Sequence, residues 1–100
     1  MNSKNKNQTM AKTKFQIKNR YTGEIIVEME AETLKEVIEK NKADLLGADL
    51  RGVNLWGVNL QEANLWGADL READLRGVKI KITQKEDLIK SLGIIVENEN

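Results

Sequence analysis

Between Ala43 and Ile82 the chain repeats itself every five residues, and that period excludes the two commonest ways of folding. The units read ADLLG, ADLRG, VNLWG, VNLQE, ANLWG, ADLRE and ADLRG, followed by VKIKI, in which only the apolar positions survive. An α-helix returns to its buried face about every 3.6 residues and a strand every second residue, so neither keeps such a repeat on one side. Short units of this kind bury their apolar residues only when neighbours stack. Leu45, Leu50, Leu55, Leu60, Leu65, Leu70, Leu75 and Ile80 are expected to point inward. Ala43, Ala48, Val53, Val58, Ala63, Ala68, Ala73 and Val78 are small enough to share a narrow interior with them. The Asp or Asn between them is a short polar side chain suited to bonding a turning backbone. The last two positions of each unit are expected to face water.

The pattern A(D/N)LXX, kept in register over these units, resembles the pentapeptide-repeat family. The resemblance implies an all-β solenoid: a right-handed quadrilateral β-helix with one pentapeptide per side and four per coil. The segment is long enough for about two coils. Residues twenty apart then lie one above another at roughly strand spacing, ~4.8 Å. That register stacks Asp44 with Asn64, Asn54 with Asp74 and Asn59 with Lys79. Only Asp49 over Asp69 brings like charges together.

Two coils leave their ends uncovered, and the flanks read as covers. Residues 1–12 form a basic tail expected to be disordered. Residues 13–42 form an N-terminal cap: two strands, with Phe15 and Ile17 alternating on one and Ile25, Val27 and Met29 on the other, joined by Tyr21-Thr22-Gly23. A helix follows, opened by a capping box of Thr33 and Glu36 and burying Leu34, Val37 and Ile38. Residues 43–82 are the repeat. Residues 83–100 form a C-terminal cap, opened by a second capping box of Thr83 and Glu86, with Leu88, Ile89 and Leu92 on one face. Gly93 stops that helix, and Ile94 to Val96 read as a short strand. The hairpin-and-helix opening resembles the leader before many bacterial and phage pentapeptide arrays.

Composition narrows the chemistry. The chain has no cysteine, histidine or proline, and four aromatic residues in all. Disulfides, thiolate metal sites and the usual base near neutral pH are therefore absent. With Ser3 and Ser91 as its only serines, the chain cannot assemble an activated nucleophile. Carboxylates at Asp49, Asp69 and Asp74 are read as holding turns. A cation between Asp49 and Asp69 is the weaker alternative, and neither enzyme activity nor a cofactor is expected. No apolar run suits a membrane span or signal peptide, so the expected location is the cytoplasm of a bacterial or phage-infected cell.

The outward positions point to binding. Side one presents Leu46-Gly47 under Trp66-Gly67, and side three presents Trp56-Gly57 under Arg76-Gly77. Sides two and four present Arg51 under Arg71-Glu72, and Gln61-Glu62 under Lys81. Exposed tryptophan on a flat surface is an interface anchor, so Trp66 with Leu46 is the first candidate contact. Trp56, Arg76, Arg51 and Arg71 come next. The alternatives are that the tryptophans pack on the chain's own flanks, or that Arg76 covers Trp56 by a cation–π contact. Leu88, Ile89, Leu92 and Ile94 are the candidate contacts of a homodimer.

The expected function is a non-enzymatic protein-interaction module, of which a small inhibitor or regulator, phage-encoded and anti-defence, is one version. The resemblance also implies an alternative, a DNA mimic acting on DNA gyrase or another DNA-binding enzyme. That needs a long, strongly negative rod. Here residues 43–82 carry six acids against five bases. A structural or oligomerising module is a third reading. Nucleic-acid contact through the basic start is a fourth, weakened by the scarcity of aromatic stacking platforms there.

Overall fold

The structure is a computed structural model and describes residues 11–97. Most of the basic start and residues 98–100 lie outside this range. Strand β1 (Thr13–Lys18) pairs antiparallel with β2 (Ile25–Ala31), setting Phe15 opposite Met29 and Ile17 opposite Val27. Ile17 and Val27 are buried, as their alternation requires. The expected inward Ile25 is instead 48% exposed, and Ile26 packs on the core. A register shift between Ile17 and Lys18 exchanges the faces there.

Helix α1 (Leu34–Lys40) starts at Thr33, whose Oγ1 accepts the Glu36 N–H at 3.2 Å. The Glu36 carboxylate reaches back to the N–H of Glu32, one residue before the cap. Val37 and Ile38 are fully buried, and Leu34 packs beside them.

The repeat is β-helix-like without forming continuous strands; β1 and β2 make the one regular sheet among the described residues. Five-residue sides explain this, because corners interrupt each side after two or three extended residues. Pairing therefore takes the form of isolated parallel bridges: Asp49 with Asp69, Asn54 with Asp74, and Asn59 with Lys79. These are three of the four stacks expected at a spacing of twenty. Around them, Leu50 N–H donates to the Asp69 carbonyl and Asp69 N–H to the Ala48 carbonyl, at 2.9 and 2.8 Å. The same pair recurs at Leu55 and Asp74, and at Leu60 and Lys79. The degraded last unit thus keeps the register of the others.

The third-position leucines, Leu45, Leu50, Leu55, Leu60, Leu65 and Leu70, are at most 2% exposed. Leu75 and Ile80, at the upper end, are half-buried. The first unit departs from expectation. Ala43 is exposed, because a 3-10 turn at Lys42–Asp44 carries the chain out of α1 before the coil begins. Asn64 N–H accordingly donates to the Lys42 carbonyl, and no Asp44–Asn64 bridge forms.

Beyond the repeat, a 3-10 turn at Ile82–Gln84 leads into α2 (Lys85–Ser91). The expected Thr83–Glu86 box is absent. In its place Gln84 Oε1 accepts the Lys81 N–H at 2.8 Å. Gly93, at φ 80°, ends the helix region as expected. Ile94 to Val96 form no strand and stand exposed. No helix among the described residues is long and apolar enough to cross a membrane.

Candidate functional site

Each outward side chain is aimed by the corner beside it. At every corner the leucine carbonyl accepts from the N–H three residues on, as in Leu55 with Val58 at 3.0 Å. The residue between, fifth in its unit, has positive φ: 71° at Gly57 and 75° at Gly67. A three-residue closure with φ above zero at its third residue is the type II turn pattern, which favours glycine. Glu62 and Glu72 adopt the same geometry at φ 69° and 65°, where a Cβ adds strain. The polar second position ties the corner down. Asn54 Oδ1 accepts the Trp56 N–H at 3.0 Å, and Asn64 Oδ1 the Trp66 N–H at 3.1 Å. Asp49, Asn59, Asp69 and Asp74 bond residues 51, 61, 71 and 76 in the same way.

Where the fourth residue is arginine, the aspartate holds it twice more. Arg51 forks onto Asp49, Arg71 onto Asp69 and Arg76 onto Asp74, at 2.7–2.9 Å. Such bidentate pairs fix the guanidinium plane. The hydrogen bond from Arg71 holds the Asp69 carboxyl down at about 2, and Arg76 does the same for Asp74. Arg51 lowers Asp49. Asp69 is buried, and Arg20 and Arg51 also approach it, at 3.7 and 3.9 Å. The like-charged Asp49–Asp69 stack is therefore compensated by arginines, which occupy the oxygens a cation would need. Arg76 lies on Asp74 and not over Trp56; the cation–π contact seen among the described residues is Arg20 over Tyr21, at 4.9 Å.

Side one gains a residue the sequence did not place there. The hairpin turn docks on the lower coil: Asn19 pairs with Ala48, Arg20 N–H donates to the Gly47 carbonyl at 2.8 Å, and Asp49 N–H donates to the Lys18 carbonyl. Arg20 Nη1 reaches past to the Gly67 carbonyl at 3.3 Å. This sets Tyr21 beside Trp66 at a shallow groove of about 280 Å³, whose other wall is Asp87 and Lys90 of α2. Tyr21, Leu46 and Trp66 are 72%, 47% and 64% exposed. The turn is fixed by Asn19 Oδ1, which accepts from the N–H groups of Tyr21 and Thr22 at 2.7 and 3.0 Å. An Asn opening a turn that ends in Gly was the available signal; what it docks against is a tertiary fact.

The other sequence-chosen residues are spread more widely. Trp56 is 64% exposed on side three. Arg51 and Arg71 stand exposed on side two. Leu88 and Leu92 pack partly on the chain's own core, Ile89 is half-buried, and Ile94 is 51% exposed. Sequence reasoning also missed Gln84, whose amide is buried and donates to the Leu60 and Ala63 carbonyls at 2.7 and 3.0 Å.

Residues 41–77 match the family model for pentapeptide repeats, in eight copies. No curated protein and no solved structure matches the chain.

Proposed function

Because residues 41–77 belong to the pentapeptide-repeat family, we propose that this chain is a non-enzymatic protein-interaction module built on a right-handed, four-sided β-helix of about two coils. Its docking surface is side one, where Leu46, Trp66 and Tyr21 meet a protein partner. The observation that carries this reading is their joint exposure on one side of the coil, where the docked hairpin turn, with Asn19 over Gly47 and Arg20 on the Gly67 carbonyl, sets Tyr21 beside Trp66. Large apolar side chains held outward by bonded corners lose little conformational freedom on contact, which favours them as anchors. A rigid prism seated in this way acts as an inhibitor or regulator by occupying its partner's surface.

The DNA-mimic alternative draws no support from the surface. Arg51, Arg71 and Arg76 project from sides two and three, each neutralising an aspartate that a mimic would need to display.

The test is capture from bacterial lysate on immobilised chain, with the retained proteins identified and then bound in purified form. The combined Leu46→Ala and Trp66→Ala variant should keep its circular dichroism and lose that binding by at least tenfold. Trp56→Ala, on side three, should bind as before. Equal binding by the side-one variant would remove this surface from consideration.

A further inference from the structure

The groove on side one is built by both covers of the coil as well as the coil itself. Arg20 and Tyr21 come from the hairpin turn, Trp66 and Gly67 from the repeat, and Asp87 and Lys90 from α2. At about 280 Å³ it falls below the ~300–1,000 Å³ of sites for whole organic ligands, and suits one long side chain. Most polar groups lining it are already committed. Arg20 donates from Nη1 to the Gly67 carbonyl at 3.3 Å, approaches Asp69 at 3.7 Å, and lies over one face of Tyr21 at 4.9 Å. Ser91 Oγ donates to the Leu88 carbonyl at 2.6 Å. The Lys90 ammonium pairs at 3.2 Å with Glu86, which does not line the groove.

Asp87 is the exception. It is half-buried, yet forms no ion pair or side-chain hydrogen bond among the described residues. Around it the charges cancel: Arg20, Arg51 and Arg71 are balanced by Asp49, Asp69 and Glu72, and Lys90 by Glu86. Asp87 is thus the negative charge left over. It shares the groove with two exposed aromatic rings, Tyr21 and Trp66. Aromatic faces attract positive charge through the ring quadrupole, indole most strongly, and the carboxylate adds a full negative charge. An arginine side chain meets both at once, because its planar guanidinium stacks on a ring while its edge forks onto a carboxylate. A lysine ammonium lacks that plane, and an acidic side chain would be repelled by Asp87.

We propose that the groove on side one takes an arginine side chain of the protein partner, its guanidinium stacked on the Trp66 indole beside Tyr21 and paired with the Asp87 carboxylate. The proposal rests on side one being the docking surface and adds the chemistry which that surface selects. It makes Asp87 the residue that discriminates between partners, since Trp66 alone accepts any apolar side chain.

The chain has two tryptophans, so the site can be watched directly. In isotope-labelled full chain their indole N–H signals are told apart by Trp56→Phe, and both are followed by NMR while a capped Gly-Arg-Gly tripeptide is added. The Trp66 signal should shift and saturate, with dissociation on the order of 1–10 mM for a single side chain, while the Trp56 signal stays in place. Asp87→Asn should weaken this binding by about threefold or more. The Leu70 N–H, bonded to the Ser91 carbonyl, should keep its signal in that variant, because α2 remains docked. The matching glutamate tripeptide should leave Trp66 unmoved, and the lysine tripeptide should bind more weakly than the arginine one. A Trp66 signal indifferent to arginine at about 50 mM, equally responsive to glutamate or lysine, or equally responsive after Asp87→Asn would overturn the proposal. The docking surface would survive any of those results if the Leu46 and Trp66 double variant still loses its purified partner, so the two failures are told apart.

Discussion

Gln84 gives the sharpest test of how the array is sealed. Its side chain donates to two carbonyls of the coil and accepts the Lys81 N–H, at 2.7, 3.0 and 2.8 Å. Gln84→Met keeps the length and removes all three bonds. Each bond to a buried group is worth about 1 kcal/mol, and stranded carbonyls add their own desolvation, so the loss should be ~2–4 kcal/mol. For a domain of this size that lowers Tm by about 10–20 °C. Gln84→Glu is the stricter variant. It preserves shape but turns a carboxylate toward two carbonyl oxygens, and this should cost more than Met at neutral pH. Those carbonyls favour the protonated acid, which raises its folded pKa above the unfolded value. A group shifted upward lends stability below its unfolded pKa and loses it as pH rises through the folded one. Thermal or urea unfolding should therefore find the Glu variant's deficit smaller at pH 4 than at pH 7, with the Met deficit unchanged. A Met variant within about 0.5 kcal/mol of the parent, the range of an ordinary surface change, would refute the claim that this amide seals the corner between Leu60 and Ala63.

Leu60→Ala should destabilise by ~2–5 kcal/mol, measured by urea unfolding, because the fully buried side chain leaves a cavity that rigid corners cannot collapse. Gly77→Ala should cost about 1–2 kcal/mol: its φ is 73°, and a Cβ would sit 3.5 Å from Gly57. Asp69, held down at about 2 by Arg71, lends stability that is complete above about pH 4 and lost as pH falls toward 2. Screening at the half-exposed guanidinium groups leaves roughly 1–2 kcal/mol of it, so Asp69→Asn should show a visibly smaller loss between pH 4 and 2. An acid transition identical to the parent's would show that the cluster contributes nothing.

What could be read from the sequence was what the five-residue period dictates. Inward Leu45 to Leu70, the bonded Asx positions and the twenty-residue register all follow from one repeating geometry, and the structure has each of them. The misreadings fall where local pattern meets a boundary. Ala43 carries the motif yet turns outward, because leaving α1 through a 3-10 turn outweighs one alanine's burial. Ile25 carries the strand alternation yet faces water, because a bulge resets the faces. Gln84 stood between two better capping residues, and its role depends on carbonyls more than twenty residues away. The left-handed corners were legible in principle: glycine fills the fifth position of five units, so Glu62 and Glu72 had to share its φ.

The same period explains where function can reside. In each unit the first and third positions are committed to the interior, the second to the corner and the fifth to a backbone angle. Only the fourth varies without harming the coil. On side two and the upper half of side three it is arginine, folded back onto its own aspartate. On side four Lys81 pairs with Glu62. Leu46, Trp56 and Trp66 are the fourth-position residues with large apolar side chains, and the corner bonds hold both tryptophans outward. An indole 64% exposed gives the fold only a minor part of its burial energy. A charged residue at those three positions would leave the corners as they are, which is why the proposed docking role is assigned to them.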